Sequence, residues 1–208
     1  MTTYNFLDEV GLTPSSQTWE LVTNTRVFRS PLTNAIQTAS RKGSLWKTTA
    51  TFANLSGTSR AKMRAFLTKL NGQEHRIKFR DFGYSRTGSA PSGDSWTGSA
   101  GLNVKTGSQT GSSVDLTGTS VNISNYFRAG DVVSFDNGYY VISEDCDSSS
   151  NDVTIPIAPA LRTSPPTGAG VEFIDPVAVM IVTSTASWDT RPGLVSNFTL
   201  EAVEDVLA

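Results

Sequence analysis

Runs of alternating apolar and polar residues dominate the chain, and few stretches repeat at the helical period. Thr18-Trp-Glu-Leu-Val22 and Arg26-Val-Phe28 read as short strands, with Arg29-Ser-Pro-Leu32 as a break set by proline. In Leu45-Trp-Lys-Thr-Thr-Ala-Thr-Phe52 the period of two puts Trp46, Thr48, Ala50 and Phe52 on one face, with Trp46 and Phe52 aimed at a core. One helix is expected, from about Ser59 to Leu70. Ser56 or Thr58 can cap its start and Gly72 can end it, and Met63, Phe66, Leu67 and Leu70 fall at i, i+3, i+4 and i+7. Gln73-Glu-His-Arg-Ile-Lys-Phe-Arg80 then alternates strictly, with His75, Ile77 and Phe79 on one face and Glu74, Arg76, Lys78 and Arg80 on the other. On this pattern the basic face of the helix and the basic face of the strand are expected to lie near each other.

Composition shifts beyond residue 84. From Ser85 to Asn125, 16 of 41 residues are Ser or Thr and 7 are Gly, yet Leu102, Val104, Val114, Leu116, Val121 and Ile123 keep alternating with polar neighbours. Short antiparallel strands joined by tight turns explain this better than a linker does. The same β module continues through Val132-Val-Ser-Phe-Asp-Asn-Gly-Tyr-Tyr-Val-Ile142, where Asn137-Gly138 is the hairpin signal. Val153-Thr-Ile-Pro-Ile157 follows, with Pro156 pointing to an edge strand or a strand end, and Val171-Glu-Phe-Ile174 is a further strand. Val177-Ala-Val-Met-Ile-Val182 and Leu194 to Val203 are longer strands that cannot form a core alone, so they are expected to pair with strands of the first 84 residues. The expected organisation is therefore a discontinuous domain, 1–86 and 175–208, with an inserted module at 87–174.

The 208 residues allow one domain or a domain with a second module, and only 17% are charged. The longest apolar run, Val177 to Val182, falls far short of the roughly 20 residues a spanning helix needs. The N-terminus has neither the basic nor the apolar region of a secretory signal, so synthesis and folding in a cytoplasm are expected. Net charge is −2, but residues 1–84 hold 12 Lys and Arg against 5 Asp and Glu, and residues 85–208 hold 5 against 14. A basic nucleic-acid surface is one reading of this polarity. Complementary charge between neighbouring subunits or modules is the favoured one, because the basic residues are spread out, without a clustered tract or interleaved aromatics.

Cys146 and His75 are the only cysteine and histidine, so neither an intrachain disulfide nor a Cys/His zinc cluster can be built, and no metal or cofactor is expected. The acids around Cys146 should raise its pKa and disqualify it as a nucleophile. A Ser-His-Asp arrangement would need His75, and no Gly-x-Ser-x-Gly elbow accompanies it. Glu144, Asp145, Asp147 and Asp152 offer paired carboxylates for a glycan hydrolase, but Ser148-Ser-Ser-Asn lies among them and favours a solvated loop. A calcium site there would lack the ordered Asp/Gly spacing. Trp96, Tyr126, Tyr139 and Tyr140 form a candidate glycan platform, since sugars stack on aromatic faces. Tyr139 and Tyr140 must point to opposite faces of one strand. A carbohydrate-binding adhesin module is thus the alternative function.

Phe28-Arg-Ser-Pro-Leu-Thr-Asn-Ala-Ile-Gln-Thr-Ala-Ser-Arg-Lys-Gly-Ser-Leu-Trp46 resembles the N-terminal domain of tail proteins from long, flexible-tailed bacteriophages. The helix after it, Arg76-Ile-Lys-Phe-Arg80, and an insertion running through Gly-Asp, Tyr-Tyr-Val-Ile and Pro-Ala-Leu-Arg162 fit the same pattern, most like a distal tail protein. The resemblance implies a mainly β chain with no enzymatic activity: a ring-forming β-sandwich domain with one α-helix, usually hexameric, and a small β-barrel, oligonucleotide/oligosaccharide-fold-like or related. Here that module is inserted before the last two strands. The implied role is a structural ring adaptor at the virion's tail tip, joining the tail tube protein to hub and fibre proteins, with DNA passing through the ring. Arg60, Lys62, Arg64, Arg76, Lys78 and Arg80 are then the candidate lumen or interface residues.

Overall fold

The computed structural model describes residues 1–40, 43–86, 101–119 and 122–205. The chain is mainly β, and its first elements are β1 (Thr3–Asn5), α1 (Phe6–Val10), β2 (Ser16–Val22), β3 (Thr25–Arg29), β4 (Ile36–Ser40), β5 (Leu45–Leu55), α2 (Gly57–Lys69) and β6 (Arg76–Arg80). The middle of the chain supplies β7 (Asn103–Val104), β8 (Ser113–Thr117), β9 (Ile123–Phe127), β10 (Val132–Phe135), β11 (Gly138–Ile142), β12 (Cys146–Ser148) and β13 (Asp152–Ala158). The last part supplies β14 (Val177–Val182), β15 (Asp189–Arg191) and β16 (Val195–Glu204).

Seven strands form the main sheet, in the order β1-β6-β14-β16-β5-β2 with β15 beside β16. The terminal strands do pair with the first segment, β14 with β6 and β16 with β5. The sheet curls. Between β6 and β2 lie four interstrand steps, about 19 Å if flat, yet Gln17 of β2 donates to the Arg80 carbonyl at 2.9 Å and accepts from the Phe82 amide at 3.0 Å. The concave face therefore closes around an apolar filling in which the Phe6 ring lies 5.0 to 5.4 Å from the rings of Phe52, Phe66 and Phe79.

Two helices seal that face rather than the single one expected. Besides α2, α1 forms because Asn5 caps it, its side chain accepting from the Leu7 amide, and because Gly11 ends it in the left-handed conformation at φ 66°. Five residues place only Phe6 and Val10 inward, too little for a periodic signal. In α2, Met63, Phe66, Leu67 and the following Leu70 are buried as the spacing predicts, although Ser56 at its start makes no side-chain cap.

The middle segment builds a five-stranded sheet, β10-β11-β13-β8-β7, and the two-stranded pair β12-β9. Its hairpin β10–β11 is a wall between two cores. Val132 and Tyr139 join the filling of the main sheet, whereas Val133, Phe135, Tyr140 and Ile142 join a second cluster with Val114, Leu116, Phe127, Ile155 and Phe173. The turn is one residue earlier than Asn137-Gly138: Asp136 (φ 47°) and Asn137 (φ 61°) turn, and Gly138 pairs with Phe135. A Cβ at this strand position would lie 2.4 Å from Tyr140 Oη, so glycine fits it. Pro156 lies in β13, which is a central strand and not an edge, at the point where β8 begins and β11 has already ended. Val171 to Ile174 is held by one isolated bridge, Glu172 to Ser134, instead of forming a strand.

A buried ionic clamp ties the two cores together. Glu204, at the end of β16, accepts from the Trp46 amide (3.0 Å), the Tyr139 amide (3.3 Å) and both terminal nitrogens of Arg162 (2.9 and 2.5 Å). Arg162 also donates to the Ser44 carbonyl at 2.7 Å. The Glu204 side chain is 0% exposed and that of Arg162 10%.

Candidate interaction surface

The six basic residues picked out from the pattern do not form one surface. Ile77 and Phe79 of β6 face the concave core together with Met63, Phe66 and Leu67 of α2. Alternation therefore sends Arg76, Lys78 and Arg80 to the convex face, while Arg60, Lys62 and Arg64 lie on the outer side of α2. The sheet stands between the two sets, so the expected neighbourhood of helix face and strand face is not found. Part of the charge asymmetry is also used inside the chain: Arg76 pairs with Asp205 and Arg80 with Asp175, each joining a residue of the basic first segment to an acid of the last. Arg64 stacks over the Trp188 ring at 4.6 Å. Among the described residues Arg60, Lys62, Arg64 and Lys78 are in no ion pair.

The aromatic platform is not assembled either. Tyr126, Tyr139 and Tyr140 are all buried, and Trp96 lies outside the described residues. Tyr139 and Tyr140 do point to opposite faces of β11, but each face meets a core. Tyr139 stacks on Trp19 with 5.0 Å between centroids, and Tyr140 stacks on Phe135 at 4.8 Å. Burial raises the pKa of both phenols, Tyr140 to about 12. Period-two reading gives direction, but not what covers each direction.

Near the acidic loop, two carboxylates are occupied in holding backbone. Asp145 accepts from the Ala129 amide and Asp147 from the Asn125 amide, while Asp152 pairs with Lys105. Among the described residues no group of three or more His, Cys, Asp and Glu is placed to hold a metal. Cys146 is buried, and burial together with Asp145, Glu144 and Asp147 pushes its thiol up to about 11. His75 accepts from the Thr2 amide and packs edge-on against Tyr4.

The feature that pattern reading missed is an arm. Among the described residues β3 and β4 pair only with each other, in a two-stranded sheet outside the others. Ser30-Pro-Leu-Thr-Asn-Ala35, read as a break, is the ordered turn of this hairpin. The Ser30 amide donates to the Ala35 carbonyl at 2.9 Å, and Asn34 adopts φ 55°. Val27 is 63% exposed, Phe28 57%, Leu32 93% and Ile36 62%. Val27 and Ile36 share one face and Phe28 and Ala39 the other, so no single docking of the arm on its own chain would bury both. Its strands carry two charges, Arg26 and Arg29. The short strand expected at Arg26-Val-Phe28 is β3, whereas β4 shows no alternation with water on both of its faces and has no signal in the pattern. A scan against protein-family models and a search of curated proteins both find no match to this chain.

Proposed function

We propose that this chain is a structural protein that closes into a ring at the distal end of a bacteriophage tail, joining the tube to hub and fibre proteins. The observation that carries the reading is the arm. A two-stranded hairpin alone is marginal in water, and covering its four large apolar side chains would contribute roughly 4–8 kcal/mol before ordering costs. Such an arm is stable, and useful, when another surface covers it. The residues that resemble phage tail proteins, Phe28 to Trp46, are this arm and the strand it feeds.

In this reading the seven-stranded sheet and its two helices form the ring-forming β-sandwich domain, and the inserted module is an oligonucleotide/oligosaccharide-fold-like barrel projecting from it. The clamp at Glu204 fixes the module's position, so that a ring of main domains displays a ring of modules to hub and fibre proteins. The passage for DNA is lined by one basic set or the other, because the sheet separates Arg60, Lys62 and Arg64 from Arg76, Lys78 and Arg80. Negative-stain electron microscopy of the purified protein tests the reading: closed annuli with a central opening are expected, and a field of single particles of monomer size contradicts it.

A further inference from the structure

The arm has an acceptor of matching kind within the same sequence. β2 is the last strand of the main sheet, and its outer edge pairs with no strand among the described residues. Its seven residues, Ser16-Gln-Thr-Trp-Glu-Leu-Val22, pair with β5 without a register shift and include no proline or bulge; Glu20 is their single charge. The strand also holds Trp19, whose Nε1 is buried with no hydrogen-bond partner. On the convex side the charge of β2 is Glu20, with Lys47 opposite it on β5 and Glu201 one strand further in; among the described residues none of the three is in an ion pair. The arm offers the complement: two five-residue strands with open outer edges, whose only charges are arginines.

We infer that the arm of one copy adds to the β2 edge of a second copy, extending the neighbour's main sheet by main-chain hydrogen bonds, with Arg29, on the arm face that also carries Val27 and Thr38, toward Glu20. This rests on the ring reading and specifies its contact. Donor and acceptor are different surfaces of one chain, so the contact is head-to-tail and repeats from copy to copy until rotation closes it. The chain runs from β2 into β3 through only two residues, so each copy receives an arm at the strand from which its own arm departs.

Cross-linking between differently tagged, co-expressed copies tests this. In a Cys146→Ser background, one copy carries Val27→Cys or Thr38→Cys, residues opposite each other on the two arm strands, and the other carries Thr18→Cys on β2. A short bis-maleimide is expected to give a dimer band containing both tags in the mixed preparation, and none when Thr68→Cys on α2 replaces Thr18→Cys. Dimers within the arm-cysteine copies alone would mean that arms meet arms, and would overturn the acceptor. A multi-subunit mass with no product at Thr18→Cys would overturn the arm-to-edge contact and leave the ring standing. A monomer at every concentration would overturn both.

Discussion

Replacing Glu204 by alanine tests whether the clamp holds the two cores together. The substitution takes the acceptor from the Trp46 and Tyr139 amides and leaves the Arg162 guanidinium, with only a tenth of its side chain exposed, without its counter-charge. Removing one partner of a buried pair costs about 3–5 kcal/mol, because the remaining charge stays desolvated. For a chain of this length each kcal/mol moves Tm by roughly 2–4 °C, so a fall of about 6–20 °C is expected. Arg162→Met added to Glu204→Ala removes the stranded charge. The double variant is expected to recover at least about 1 kcal/mol relative to the sum of the two singles, the coupling typical of groups in one network. Urea unfolding at one fixed protein concentration is the assay, since the proposed self-association would tie apparent stability to concentration. A loss below about 1 kcal/mol for Glu204→Ala, or additive single variants, would refute the reasoning and mean that water already reaches the pair.

Other outcomes follow from single features. Phe28→Asp and Leu32→Asp, on exposed arm positions, are expected to abolish self-association in size-exclusion chromatography while Tm of the isolated chain shifts little; unchanged elution would count against the arm. Cys146, with its thiol pushed up to about 11, is expected to be only about 0.1% thiolate at pH 8 and to gain reactivity as pH rises toward that value. Rapid alkylation of the folded protein at pH 7 would contradict this. Gly138→Ala forces a methyl to within 2.4 Å of Tyr140 Oη and is expected to cost about 1–3 kcal/mol of overpacking, read by urea unfolding. A neutral effect would show that the ring of Tyr140 moves freely.

What the sequence made legible is what one covered face makes legible. β5 and β16 bury alternate residues and α2 buries one stripe, so the period shows each of them, and the terminal strands were placed by their need for a partner. α1 was hidden because two inward residues make no period. Tyr139 and Tyr140 illustrate a second limit: they point to opposite faces as the period predicts, but β11 is covered on both, so the candidate glycan platform is a wall shared by two cores. The basic residues illustrate a third, because charge counted along the chain says nothing of a sheet standing between α2 and β6. The arm is the reverse case, with both faces in water. Its apolar residues stand out only once the other described residues are seen to leave them exposed, and the proposed assembly rests on that exposure.

The measurement that bears most directly on the assembly account is the mass of the purified chain by light scattering over a range of concentrations, beside a variant with residues 24–42 replaced by a short Gly-Ser link. The account predicts a closed species of several subunits, near six on the resemblance to distal tail proteins, and a monomer for the armless variant. A wild-type monomer throughout the range, or an armless variant that still forms the ring, would contradict it.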